Sequence, residues 1–436
     1  MQLNNDKYLD LVAETMPREQ IERLQESRIL QLVPYAYKRS KLIREVWDRA
    51  GVKPEDIKSM ADFKEKVPFI DKDDIRRFRD EYNDPFGGLL CSGAPHLRGV
   101  GFTSGTTGDP TPVPRGERHQ TITSLQRELW HIGMRPGDYL TYALFTFREG
   151  HHEDRWSDSG FRIMPFQHHP NEWMRMIEAS KRFSPKVFYL LSTPLILSLE
   201  AMEKKGLVNP REAFASYEGA VFGGEPLAPR LRAVVESWGL EIFEHSSLGD
   251  ITTATECRAH DGMHTWEDMV LVEHLDPLGN AEAGDGERGE LVVTSLMDDI
   301  SPLIRYRTDD LIEFTRKPCS CGRTHGRMKP KGRKGDEMVI DGKSVLPMDI
   351  LPIIQDQPET GAGLFQLIRK SREADTLSVR VGHDPEQLES SAEELRKRLV
   401  DLIHGQLQVP VDIELCDNEE LLRLGPPHKI PRVTKQ

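Results

Sequence analysis

Nothing in this sequence of 436 residues is long and apolar enough to read as a membrane span. No uninterrupted apolar run approaches the roughly 20 residues that a bilayer-crossing helix needs. The opening MQLNNDKYLDLVAETM has no basic stretch followed by an apolar one, so no secretory signal peptide is expected. Cysteine is scarce. Its five copies are an odd number and are not spread as a disulfide framework, which points to reduced thiols and a cytoplasmic setting. An excess of positive charge is missing as well: 58 Lys and Arg against 71 Asp and Glu leave a formal net charge of −13. Such a mean field repels a phosphate backbone or an anionic bilayer, so neither nucleic acid nor membrane is an expected partner. A nucleotide needs only a local positive pocket and stays compatible with this balance. Neither internal repeats nor low-complexity segments occur.

What is present is an ordinary globular composition, in a chain too long for one comfortable hydrophobic core. Apolar positions recur at helical spacing in residues 8–16 and 23–47. Asp71 and Asp73–Asp74 are placed to start another short helix. The Gly/Thr/Pro-rich stretch 99–116 is expected to form no regular structure. Strand candidates at 139–145, 185–192, 218–224 and 240–247 alternate with helical segments such as 193–206 and 228–239. That alternation predicts βαβ units and a mostly parallel sheet. From 265 to 316 the pattern turns strand-rich, and the basic, glycine-punctuated 329–337 reads as a linker. Beyond it come strands, a helix over 385–407 and a last strand at 411–416. The expected fold class is therefore α/β. A large N-terminal domain over 1–332, with βαβ sheets plus a β-rich subdomain, precedes a small α+β C-terminal domain over 333–436.

Two patterns carry chemistry. The stretch Phe102 to Gly108 mixes hydroxyls with glycines, whose missing side chains let backbone N–H groups approach an anion. It lacks the Gly-Lys-Ser/Thr ending of a P-loop, which argues against that class of NTPase. The second pattern is Cys257, His264, Cys319 and Cys321. Three thiolates and an imidazole suit tetrahedral zinc, and ordinary reduced thiols fit the spacing equally well. His260 and His325 are alternative fourth ligands.

Several stretches, in order, carry a resemblance: 67–76, Thr103 to Gly108 with Pro110, Gly223–Gly224–Glu225–Pro226, and Trp266–Glu267–Asp268. They continue with Arg305 to Asp310, Cys319 to His325, Gly332–Arg333 and His428 to Val433. On these the chain resembles the adenylate-forming enzymes, and among them the phenylacetate–CoA ligase branch, over nearly its whole length. The resemblance implies an ATP-dependent, AMP-forming acid–CoA ligase. Such an enzyme uses Mg²⁺, makes an acyl-adenylate and passes the acyl group to coenzyme A. An aromatic or arylacetic acid such as phenylacetate is the implied substrate.

By the same resemblance, Thr103, Ser104, Gly105, Thr106, Thr107 and Gly108 hold the β- and γ-phosphates, and Gly224, Glu225 and Pro226 lie at the nucleotide. Asp310 accepts from both ribose hydroxyls, Arg333 reaches the ribose side, and Lys429 bridges the substrate carboxylate and the α-phosphate. A compact ammonium on a flexible stem suits charge developing between two oxygens. The small C-terminal domain is implied to be mobile, rotating between the two half-reactions about a hinge near Asp336. Cys257, His264, Cys319 and Cys321 are implied to hold a structural Zn²⁺.

The pattern also departs from that family. Asp109 stands where a lysine usually follows the phosphate loop. His245 to Asp250 replaces a Tyr-Gly-x-Thr/Ser-Glu motif, with Asp250 in the role of the metal-binding glutamate. Tyr142, Phe145 and Phe147 are candidates for an acyl pocket, with His151–His152–Glu153–Asp154, Asp158 and His168–His169 near it rather than on a metal. Two rival readings are an adenylyltransferase without a CoA step, like the synthetases that adenylylate a deazaflavin, and a degenerate nucleotide-binding relative. A homodimer suits an acidic chain of this branch.

Overall fold

The computed structural model describes residues 7–91, 97–102, 112–116, 120–144, 159–167, 169, 172–248, 251–388, 390–424 and 430–435. The chain forms two compact units. One gathers Met1–Gly137, Arg148–Phe161 and His245–Pro330; the other gathers Asp138–Phe147, Arg162–Glu244 and Lys331–Gln436.

In the first unit, helices run over Arg18–Arg39, Lys41–Ala50, Met60–Lys66 and Lys72–Tyr82. Ser40 caps one of them through Ile43 N, and Asp71 with Asp74 forms a capping box on another, so backbone donors at the N-termini of both helices are satisfied. Their apolar faces bring Ile29, Val33, Trp47, Phe63 and Phe78 into one core with Val272, Val293 and Ile312. Those three come from the antiparallel strands Val270–Leu275, Arg288–Ser295 and Tyr306–Thr315. Gly88 has φ +75°, and a Cβ there would lie 2.6 Å from the Phe78 ring, so only glycine fits.

One expectation is corrected here. The stretch 99–116 is not wholly irregular: Leu97–Phe102 and Pro112–Gly116 pair antiparallel, with Val100 opposite Pro114. Proline is tolerated because a two-stranded ribbon has only edge strands.

In the second unit, Tyr139–Leu144, Arg162–Gln167, Val187–Leu191 and Gly219–Gly223 are parallel, as βαβ alternation requires. Helices Trp173–Phe183, Thr193–Lys204 and Pro229–Ser237 bury Trp173, Leu195, Leu199 and Leu231 with Phe188 and Phe222 of the strands. Burial of Val187–Leu191 and Gly219–Gly223 on both faces explains why those strands read as continuous apolar runs.

Residues 331–436 of the same unit form a sheet ordered Val411–Asp417, Leu377–His383, Phe365–Arg369, Val433–Lys435. Helices Pro347–Gln355 and Ala392–Leu407 cover it through Ile350, Ile354, Leu395 and Leu399. The hairpin Met338–Ile340/Lys343–Val345 turns at Asp341 and Gly342, whose φ values of 50° and 76° are those that a two-residue hairpin turn demands. The linker reading is corrected in part. Arg327–Arg333 is a strand that begins by pairing with Met263–His264, and only Lys334–Asp336 is a turn. Lysine and arginine stems tolerate strand geometry, so basic composition alone does not mark a linker.

Candidate functional site

The fold brings Cys257, His264, Cys319 and Cys321 together in the first unit. Their ligand atoms all lie within 4.8 Å of one another, and all four residues are buried. Cys257 follows the strand Thr252–Glu256, His264 sits in the short pairing with Arg327, and the other two cysteines flank a turn. The Sγ atoms of Cys257 and Cys319 are 3.7 Å apart, and Cys321 Sγ lies 3.3 Å from His264 Nε2. His264 Nδ1 faces the carbonyl of His325 at 3.1 Å, so Nδ1–H donates there and the Nε2 lone pair points among the sulfurs. The backbone N–H of Arg323 donates to Cys321 Sγ at 3.4 Å.

The electrostatics favour ionised sulfur at Cys319 and Cys321. Hydrogen bonding from Cys257, then from His264, holds the Cys321 thiol far below its ordinary value, against the opposing effect of burial. His264 itself also lowers Cys319. Cys257 is driven the other way by its contact with Cys321 and by burial. The two alternative ligands are engaged elsewhere. His325 Nδ1 accepts from Glu267 N at 2.9 Å while its Nε2–H donates to Ala13 O at 2.9 Å, and His260 Nδ1 meets Glu256 at 3.0 Å.

A strap from early in the chain covers this knuckle. Tyr8 Oη donates to Cys321 O (2.8 Å), Arg323 Nε to Glu14 (2.8 Å), and Thr324 Oγ1 to Met16 O (2.6 Å). Gly322 has φ +84°, and a Cβ on it would come within 2.6 Å of Tyr8 Oη. Behind the strap, Arg127 meets Asp268 with two parallel bonds of 2.8 Å, both side chains buried. Burial alone would raise Glu267, yet Arg18 and Arg316 hold it below its ordinary value. The helix Gln120–Ile132 also supplies Glu128, buried against His245 Nδ1 at 3.0 Å and pushed up by desolvation. Sequence reasoning missed Glu14, Arg18, Arg127 and Glu128 as members of a site, because the site partner of each lies more than 100 positions away. The Trp266–Glu267–Asp268 and Cys319 to His325 stretches were the signals pointing here.

Of the other expected residues, Asp310 lies on the strand Tyr306–Thr315, partly buried, with its N–H bonded to Thr308 Oγ1 at 3.1 Å. Arg305, five residues earlier in the same motif, is buried. It binds Glu273 through Nε (3.1 Å) and a terminal nitrogen (2.8 Å), and the carbonyls of Lys64 and Val67 at 2.7 Å. It thereby joins that motif to the 67–76 stretch. Gly224, Glu225 and Pro226 follow the strand Gly219–Gly223, with Gly224 at φ +100°, and Glu225 is ion-paired with Arg432 at 2.8 Å. Arg333 ends its strand. Tyr142 is buried beside Tyr189, at a ring separation of 5.4 Å. Thr103 to Gly108, Asp109, Phe145, Phe147, His151 to Asp154, Asp158, His168, Asp250 and Lys429 lie outside the described residues.

No protein-family profile matches the chain. It is 32% identical to a phenylacetate-coenzyme A ligase of Thermus thermophilus, over 96% of this chain and 95% of that one. The chain belongs to the phenylacetate–CoA ligase family. A second family member, from Aromatoleum evansii, is 31% identical over 91% of each chain. Among solved structures, the chain is similar to 2-hydroxyisobutyryl-CoA ligase in its postadenylation state with R3-HIB-AMP. The TM-score is 0.85 at 25% identity, covering 100% of this chain and 94% of that one. Against the same ligase in its thioesterification state, with 2-HIB-AMP and CoA, the TM-score is 0.70 over the same shares.

Proposed function

We propose that this chain is an AMP-forming acid–CoA ligase acting on an aromatic or arylacetic acid. The observation that carries the reading is the similarity along 96% of the chain to a phenylacetate-coenzyme A ligase. The chemistry joins a substrate carboxylate oxygen to the α-phosphorus of ATP, with pyrophosphate leaving. The sulfur of CoA then attacks the acyl carbonyl, loses its proton and expels AMP. Two anions meet in the first step, so positive charge and fixed donors lower its barrier. Thr103 to Gly108 would cradle phosphate, Asp310 would hold the ribose, Arg333 would lie beside it, and Lys429 would neutralise the carboxylate and α-phosphate as they approach. Asp250 would hold Mg²⁺, which supplies charge neutralisation on the phosphates.

Cys257, His264, Cys319 and Cys321 would hold a structural Zn²⁺: four buried soft or imidazole donors within 4.8 Å of one another make a complete tetrahedral ligand set. No described helix is long and apolar enough to cross a membrane. All five cysteines are free, which suits a reducing cytoplasm.

The test is release of AMP and pyrophosphate from ATP, with and without CoA, across aromatic and short aliphatic acids. Acid- and CoA-dependent AMP formation is expected, and Lys429→Ala should lower it by roughly 100-fold or more. Acid-dependent pyrophosphate release with AMP retained on the product, whether or not CoA is present, would replace the ligase by an adenylyltransferase.

A further inference from the structure

The second unit contains an ion pair that links two motifs widely separated in sequence. Arg432 belongs to the stretch that enters the strand Val433–Lys435, and Glu225 follows the strand Gly219–Gly223. Their charged groups are 2.8 Å apart, with side-chain exposures of 16% and 6%. Arg432 also donates to the carbonyl of Gly363 and lies over the Phe365 ring, 4.8 Å from its centre. Its own carbonyl accepts from Leu367 N at 2.8 Å. Two residues earlier Ile430 is buried with Leu364, Cys416 and Leu421, and Leu197 of the parallel-strand region packs on that cluster. Arg432 therefore has its backbone fixed in one sheet and its guanidinium fixed on another part of the same unit.

We propose that the Glu225–Arg432 ion pair is a latch that positions the C-terminal strand for adenylate formation and opens before thioester formation; this rests on the ligase reading. Two observations support it. The chain matches the postadenylation state of a related ligase at a TM-score of 0.85 and its thioesterification state at 0.70, so the pair is seen in an arrangement closer to the first. Lys429 stands only three residues before Arg432, so a displaced Arg432 displaces the strand entry that follows the lysine. A charge pair suits a reversible latch better than an apolar plug. Both groups recover solvation when it opens, and geometry rather than buried area decides when it closes. Arg432 is on this view a positioning residue.

The half-reactions separate the possibilities. In Arg432→Gln, acid-dependent exchange of pyrophosphate into ATP should fall by roughly 10-fold or more, the usual consequence of removing one partner of an enclosed charge pair. Thioester formation from supplied acyl-adenylate and CoA should stay within about 2-fold, which also shows that the variant folds. The exchanged pair Glu225→Arg with Arg432→Glu should recover part of the lost exchange activity, because the attraction is restored with its partners reversed. Equal losses in both half-reactions, or unchanged exchange in Arg432→Gln, would overturn the latch. An unmodified protein with no acid-dependent exchange would overturn the ligase reading and the latch with it.

Discussion

At the scale of single residues, His131 carries a consequence for acid stability. Both of its ring nitrogens are enclosed, although part of the residue reaches the surface. Burial, with Arg323 and Arg258 nearby, pushes its pKa down from 6.5 to about 3. Below pH 6.5 an unfolded chain takes up a proton that the folded protein refuses. The stability present above that pH is therefore lost progressively as pH falls toward about 3. Replacing His131 by Leu should shrink the stability lost between pH 7.5 and pH 5 by about 2 kcal/mol, read from urea unfolding at the two values. An unchanged pH dependence would show that the ring takes up its proton over the same pH range in the folded and unfolded chain.

This is also the scale at which the sequence was least informative. Cysteines and histidines announce themselves, because few side chains share their chemistry. Arg127 looks like any helical arginine until Asp268, 141 residues away, is placed against it.

At the scale of elements, the knuckle and the strap are one construction. On the proposed zinc reading, metal removal would leave crowded thiols that cannot all ionise together, and the turn between Cys319 and Cys321 would lose its anchor while Tyr8, Glu14 and Met16 still depend on it. Cys319→Ser, or exhaustive chelation, should release one zinc per chain and lower the melting midpoint by roughly 5 °C or more. Hydrogen exchange should then accelerate across residues 7–16 ahead of the core helices. Equal metal content in the variant and the unmodified protein would remove zinc from the account.

Elements were the most legible scale. The capping Asp71 and the parallel apolar strands were plain, because caps and periodicity are local physics. The hairpin of Pro112–Gly116 was not, since proline and glycine normally argue against strands and only an unpaired edge admits them. The strand Arg327–Arg333 was hidden by its charge for a similar reason.

At the scale of the whole molecule, the α/β class followed from alternation, whereas the grouping of residues 138–147 and 162–244 with 331–436 had no local signature. Contacts such as Leu197 on the cluster that holds Ile430 join segments that no periodicity relates. A ligase that makes an adenylate must also grip it. A non-hydrolysable acyl-sulfamoyl adenosine at 100 times its Kd should stabilise the folded chain by about 2.7 kcal/mol, seen as a rise in melting temperature. The matching acid analogue should outperform sulfamoyl adenosine lacking an acyl group. Equal shifts from both compounds would leave the acyl pocket without support.

The strap also has a history in time. Tyr8 and Cys321 are separated by 313 positions, and at typical rates of synthesis the earlier residue leaves the ribosome roughly 15 to 60 s before its partner exists. Through that interval Tyr8, Glu14 and Met16 have no knuckle to grip. This corner of the molecule is therefore completed late in translation, and nascent chains halted before Cys319 should be cut by protease within residues 7–16 while finished ones resist.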